Sequence, residues 1–221
     1  MSTDILWLIV KATGQTLQMV AIASVIGTLL GLPLGVFLAT SGRGELYAAP
    51  GANRILGAVV NATRSVPFII LVVAIIPFTR LVAGTSIGTN AAIVPLTIAT
   101  IPFVARLVES AIREVDPGLL EAARAMGATR LQIVWKVLLA EAKPGITLAL
   151  TLTVVSLIGY SAMVGAVGGG GLGDLGIRYG YQRFMPDVMA AVVVVLIVLV
   201  QAVQSIGDRL ARHFDKRARP R

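Results

Sequence analysis

Three stretches of this chain carry no charged side chain: residues 12–42, 144–173 and 188–207. A helix needs about 20 mostly apolar residues to cross a bilayer, and each stretch is long enough. A segment in hydrocarbon must satisfy its own backbone groups, and an unbroken apolar run does so as a helix. Two further spans are interrupted by arginine. One runs from about Leu56 to Val82, with Arg64 and Arg80 toward its ends; the other runs from about Gly88 to Ala111, with Arg106 and Glu109 near its end. The chain therefore reads as an all-α integral membrane protein, a single transmembrane domain over residues 1–221. Its five helices are expected at about 14–40, 56–82, 88–111, 144–166 and 187–208.

Composition supports this reading and excludes others. Hydrophobic residues make up 56% and charged residues 14% of the 221, and the mean hydropathy is +0.86. A disordered chain and an ordinary soluble domain are both excluded. With no cysteine there is no disulfide, thiolate metal site or cysteine nucleophile. The one histidine, His213, sits in a charged tail, which leaves no basis for a metal centre. The net charge of +8 would suit nucleic acid in a soluble protein. In a chain this apolar it reads instead as the basic excess of cytoplasmic loops, with no nucleic-acid partner expected.

Lysine and arginine also set the orientation. With the N-terminus outside, fifteen fall on the cytoplasmic side: Arg43, Arg54, Arg64, Arg106, Arg113, Arg124, Arg130, Lys136, Lys143, Arg209, Arg212, Lys216, Arg217, Arg219 and Arg221. Four fall outside: Lys11, Arg80, Arg178 and Arg183. The reverse orientation inverts this bias and is rejected, so the C-terminus is expected in the cytoplasm. Residues 5–10 are too short for the apolar region of a signal peptide, and no basic segment precedes them, so no cleaved leader is expected.

Residues 41–54 and 83–88 read as short connections, and two others are longer. In residues 112–143, Asp116-Pro117 is a helix start, with aspartate as N-cap and proline at the first helical position. A short helix through Leu119, Leu120, Ala123 and Met126 stops at Gly127. Thr129 and Gln132 form a capping box that opens a second helix, with apolar Ile133, Val134, Val137 and Leu138. This helix–turn–helix has two readings: an amphipathic pair lying on lipid headgroups, or a docking surface for a cytoplasmic partner. The glycine-rich stretch 164–186 is not a phosphate loop, because no Lys-Ser/Thr follows the glycines. Its glycines let backbone pass close to a neighbour or leave the helix near a pathway. Tyr179 and Tyr181 suit the membrane–water interface.

Within the spans, Gly27, Gly31 and Gly35 share one face and permit close helix approach. The partner helix is either in this chain or in a second copy. Pro33, Pro67, Pro77, Pro95 and Pro102 each remove a backbone donor and favour a kink, which suits a transporter or channel better than a simple anchor. Arg106 and Glu109 can pair on one face, either as a proton relay or as an interfacial ion pair; their place near the span end favours the pair. Arg64 sits similarly. Tyr160, Ser161 and Met163 lie toward the outer end of the fourth span. They read as helix packing, or as a pathway surface whose flexible thioether opens and recloses.

Glu121-Ala122-Ala123, three residues, Gly127, nine residues, then Val137-Leu138-Leu139 resembles the EAA loop of bacterial ATP-binding-cassette importer permeases. Val137 stands for the usual isoleucine, and Ala140 for the usual proline, which leaves the end of the second helix open. Arg64 to Leu71, Ile76 to Arg80, Gly84 to Gly88, Ala92 to Thr97, Arg124 to Thr129 and Gly159 to Met163 look like the permease subunit of methionine importers in particular. The resemblance covers roughly residues 5–212.

It implies a type I importer fold in the bacterial inner membrane. It also implies a pair of these chains about a two-fold axis, with two cytoplasmic ATPase subunits below. The ATPases bind ATP and magnesium, so this chain needs no cofactor and catalyses nothing. An extracytoplasmic binding protein would deliver methionine, including D-methionine and derivatives. Glu121, Ala122, Ala123, Met126, Gly127 and Ala128 would couple to the ATPase, and Tyr160, Ser161 and Met163 would line or gate the pathway. Other hydrophobic amino acids or short peptides are alternative cargoes. An ATP-independent channel or secondary transporter is an alternative mechanism, though neither needs such a docking loop.

Overall fold

The computed structural model describes residues 3–214. The described residues include α1 (Thr3–Thr40), α2 (Pro50–Ser65), α3 (Phe68–Ala74), α4 (Ile76–Ala83), α5 (Thr89–Arg113) and α6 (Pro117–Ala125). Then come α7 (Arg130–Gln132), a π-helical turn (Ile133–Leu138) and α8 (Leu139–Glu141). After α9 (Lys143–Gly165), α10 (Gly171–Leu175) runs into a second π-helical turn (Gly176–Tyr181), and α11 (Pro186–Phe214) follows. Among the described residues no strand occurs. The basic residues Lys216, Arg217, Arg219 and Arg221 lie outside the described residues.

Four helices, α1, α5, α9 and α11, are long and apolar enough to cross a membrane. The segment expected as one span over 56–82 is broken instead. Helices α2 and α3 meet at 101°. Val66 is extended (ψ 126°), because the ring of Pro67 disfavours a helical residue before it, and proline offers no N–H to continue the ladder. A second break falls at Ile75, just ahead of Pro77 in the first turn of α4. By contrast, α1 runs on through Pro33, and α5 through Pro95 and Pro102.

Two connections also differ from expectation. The turn expected over 41–54 ends at Ala49, and Pro50 already opens α2. There the Asn53 side-chain amide donates to the Leu38 carbonyl (2.8 Å) and the Ser41 hydroxyl (2.9 Å), closing the end of α1. The glycine-rich stretch is helical for much of its length. The N–H groups of Gly171 and Leu172 donate to Gln15 Oε1 (3.1 Å) and Thr16 Oγ1 (2.9 Å) of α1. These side chains satisfy donors that a helix start leaves orphaned. Asp174 and Arg178 pair one turn apart.

The close-approach face of α1 packs within this chain. A Cβ on Gly27 would stand 2.3 Å from Thr100 Cγ2, one on Gly31 2.7 Å from the Ile101 carbonyl oxygen, and one on Gly35 2.5 Å from the Ala105 carbonyl oxygen. The partner is therefore α5, in near backbone contact. Buried Met19, Val20 and Ala23 of α1 and Leu96 of α5 join Val72, Leu157 and Ile158 in one core. Val104, Val108 and Ile112 of α5 join Ile133, Val134 and Leu138 in another. The face of α11 bearing Val193, Val194, Ile197 and Val198 is exposed on this single chain.

Three outcomes follow from this packing. Gly31→Ala should lower the stability of the purified protein in detergent by about 1–3 kcal/mol through overpacking. Gly14→Ala, where a Cβ meets nothing within 4 Å, should be neutral or raise the thermal midpoint. Thr16→Val keeps the shape but removes the acceptor for Leu172. Hydrogen exchange at that amide should speed up by a factor corresponding to about 1 kcal/mol, while amides inside α5 stay unchanged.

Candidate functional site

The helix–turn–helix over 112–143 forms as the residue pattern predicts at its caps. Asp116 Oδ1 accepts from the Gly118 N–H at 2.8 Å and starts α6. At the other end Gly127 takes φ +78°. The Ala128 N–H donates to the Ala123 carbonyl (3.1 Å) and the Gly127 N–H to the Arg124 carbonyl (2.9 Å), the paired bonds of a Schellman stop. The Thr129 hydroxyl accepts from the Gln132 N–H (3.3 Å), and Gln132 Oε1 accepts from the Thr129 N–H (2.8 Å). The second helix departs from expectation in one respect: it widens into a π-helical turn at Ile133–Leu138.

These caps divide the loop into an anchored and a displayed side. Ala123 is buried against the core formed with Ile133, Val134 and Leu138, and Ala128 packs on its edge. Glu121, Ala122 and Gly127 are exposed, and Met126 is 81% exposed. Leu131 and Trp135, also exposed, extend the displayed surface. Their four-residue spacing, which places both on one helix face, is the sequence signal for this surface. The loop is thus fixed from behind and offers an apolar and charged front. Beside it, Arg106 and Arg113 each bond one oxygen of the buried Glu109 carboxylate, at 2.7 and 2.8 Å. With both oxygens held, this is a structural ion pair reinforced by a second arginine.

The three residues expected along a pathway do not converge. Ser161 is buried, and its hydroxyl donates to the Ile158 carbonyl of its own helix at 2.7 Å. Met163 is 48% exposed. Tyr160 stacks on Phe68 with ring centroids 4.5 Å apart and planes 16° from parallel. It lines a cleft of ≈ 230 Å³ with Thr63, Arg64, Phe68, Ala99 and Phe103. The residues from α2 and α3 reach this place because the chain turns at Val66-Pro67. Phe68 and Phe103 were missed in the sequence because aromatic residues in a span read as lipid-facing or core unless the bend is known.

The chain matches the family of the binding-protein-dependent transport system inner membrane component over residues 31–220. It is 61% identical over 210 residues to the probable D-methionine transport system permease protein MetI of Vibrio cholerae serotype O1, covering 95% of this chain and 93% of that one. It is 52% identical over 165 residues to the D-methionine transport system permease protein MetI of Escherichia coli K12, covering 75% and 76%. It also superposes with a TM-score of 0.95, at 50% identity, on a chain of the MetNI methionine ABC transporter in an inward-facing conformation, covering 98% of this chain and all of that one. On the family match and these identities, the chain belongs to the inner-membrane permease components of binding-protein-dependent transport systems.

Proposed function

We propose that this chain is the transmembrane subunit of an ATP-driven importer that moves methionine, including D-methionine and derivatives, into the cell by alternating access. The helix–Gly–helix loop, anchored behind and displayed in front, carries this reading. Names of relatives that share most of the chain support the substrate. Two copies pair about the pathway, the N-terminus outside and the loop in the cytoplasm, as the charge bias supports. Two ATPase subunits, which bind ATP and magnesium, each receive one loop. An extracytoplasmic binding protein delivers the cargo.

The physics of coupling follows from the loop. Closure of the ATPases biases the membrane helices only if the loop moves as a rigid piece. Ala123 and Ala128 tie it to the end of α5 through the shared core, while Glu121, Ala122 and Met126 face the partner. Gly127 sets the turn between the two helices. On the pathway side, Tyr160 lines the cleft, exposed Met163 supplies a flexible thioether on the same helix, and Ser161 is buried between them in sequence.

The test uses the permease reconstituted in lipid with its ATPase and binding protein. Methionine uptake coupled to ATP hydrolysis is the expected result. Gly127→Asp should abolish uptake while the protein still inserts, and Gly127→Asn should retain more activity than Gly127→Val. A Cβ at this position meets nothing within 4 Å, so the backbone cost falls on valine, while asparagine and aspartate tolerate the left-handed conformation; the loss with aspartate comes from the negative charge it adds to the docking surface. Full uptake by Gly127→Asp would remove the docking account. A stable, active complex indifferent to methionine would keep the permease and replace the cargo by another hydrophobic amino acid or a short peptide.

A further inference from the structure

The cleft at the α2–α3 bend holds chemistry that loop coupling does not use. Four helices converge on it, with Arg64 from α2, Phe68 from α3, Phe103 from α5 and Tyr160 from α9. Arg64 has no ion-pair partner among the described residues; Glu109 is taken by Arg106 and Arg113, and Asp174 by Arg178. Arg64 is exposed on this chain, toward the cytoplasmic end of the apolar segment 56–82, and an ionised group there needs water or a counter-charge to meet it. Beside this cation α2 stops. Its last carbonyls have no onward helical donors, Pro67 has no N–H to offer, and the negative end of the helix dipole lies there. A donor for an anion and acceptors for a cation are thus placed side by side at Arg64 and the α2 terminus.

Against these polar groups stands an aromatic wall. Phe68 and Tyr160 are stacked, and Phe103 adds to the lining. Thioethers contact aromatic rings favourably. A carboxylate, an ammonium and an unbranched polarisable side chain are the three parts of one molecule that this arrangement complements. At ≈ 230 Å³ the cleft is below the range of about 300–1,000 Å³ common for drug-sized ligands, the scale of one amino acid rather than a peptide. We infer that this cleft is an amino-acid subsite in the permease. Arg64 receives the α-carboxylate, the terminal carbonyls of α2 receive the α-ammonium, and the Phe68–Tyr160 shelf carries the thioether. This rests on the methionine-importer reading and adds selectivity within the membrane to that of the binding protein.

The test uses the whole permease–ATPase complex in lipid nanodiscs, without binding protein, and a diazirine-bearing methionine analogue. After irradiation, label should map to peptides bearing Phe68, Phe103 or Tyr160. Methionine should compete it away, whereas methioninol, which lacks the carboxylate, and N-acetylmethionine, which lacks the ammonium, should not. Arg64→Gln should weaken half-saturation about tenfold or more, the scale of a lost hydrogen bond to a charged group, with Arg64→Lys in between. Label elsewhere, or methioninol competing as well as methionine, would overturn the subsite. So would an assembled Arg64→Gln complex with unchanged half-saturation. If Arg64→Gln fails to assemble, the competition series on the wild-type complex decides. Uptake assays separate the two readings: a wild-type transporter that imports methionine but labels outside the cleft loses only the subsite, whereas one that imports no methionine loses both.

Discussion

The structure depends first on the near-backbone contact of α1 with α5. Lipid tails are as apolar as leucine, so helices in a bilayer gain little from hiding apolar surface against each other. What holds them is close packing, and three glycines on one face of α1 let the chain come within reach of the Ile101 and Ala105 carbonyls. No side chain at those positions would fit without moving backbone. The pair then acts as the beam on which the rest is mounted. One end of α5 packs against α3 and α9 through Ala92 and Leu96. The other packs against the loop through Val108 and Ile112.

That beam places the loop and the cleft on one element. The loop is fastened to the core at one end of α5, where Glu109 also locks two arginines onto the same helix. Ala99 and Phe103, farther up α5, line the cleft. The loop and the cleft are thus joined by one continuous helix, α5. The glycine-rich segment adds a second tie, because the start of α10 is capped by Gln15 and Thr16 of α1.

Prolines illustrate how one residue type takes different roles in this chain. Pro33, Pro95 and Pro102 lie inside continuous helices. Pro67 sits at a break of 101°. The lost donor and the ring are the same in each case. At Pro67 the chain leaves the helix at an extended Val66, and α3 starts in a new direction to bury Phe68 and Val72. At Pro33 and Pro102 the tight α1–α5 contact on either side favours keeping the helix continuous.

Some features were legible in the residues because they rest on short-range physics. Long uncharged runs mark helices that must satisfy their own backbone. Asp116, Thr129 with Gln132, and Gly127 cap their helices through bonds to neighbours two to five residues away, so their types and spacing suffice. The broken second span, the helical form of the glycine-rich stretch, the two π-helical turns and the placing of Arg64 beside Tyr160 were not legible. Each depends on which distant surface a segment meets, and a proline or glycine permits a bend without choosing its direction. Ser161 shows the limit most plainly: its residue type allows a pathway or a packed helix, and only the elements packed on α9 bury it, leaving its hydroxyl to bond the Ile158 carbonyl of its own helix.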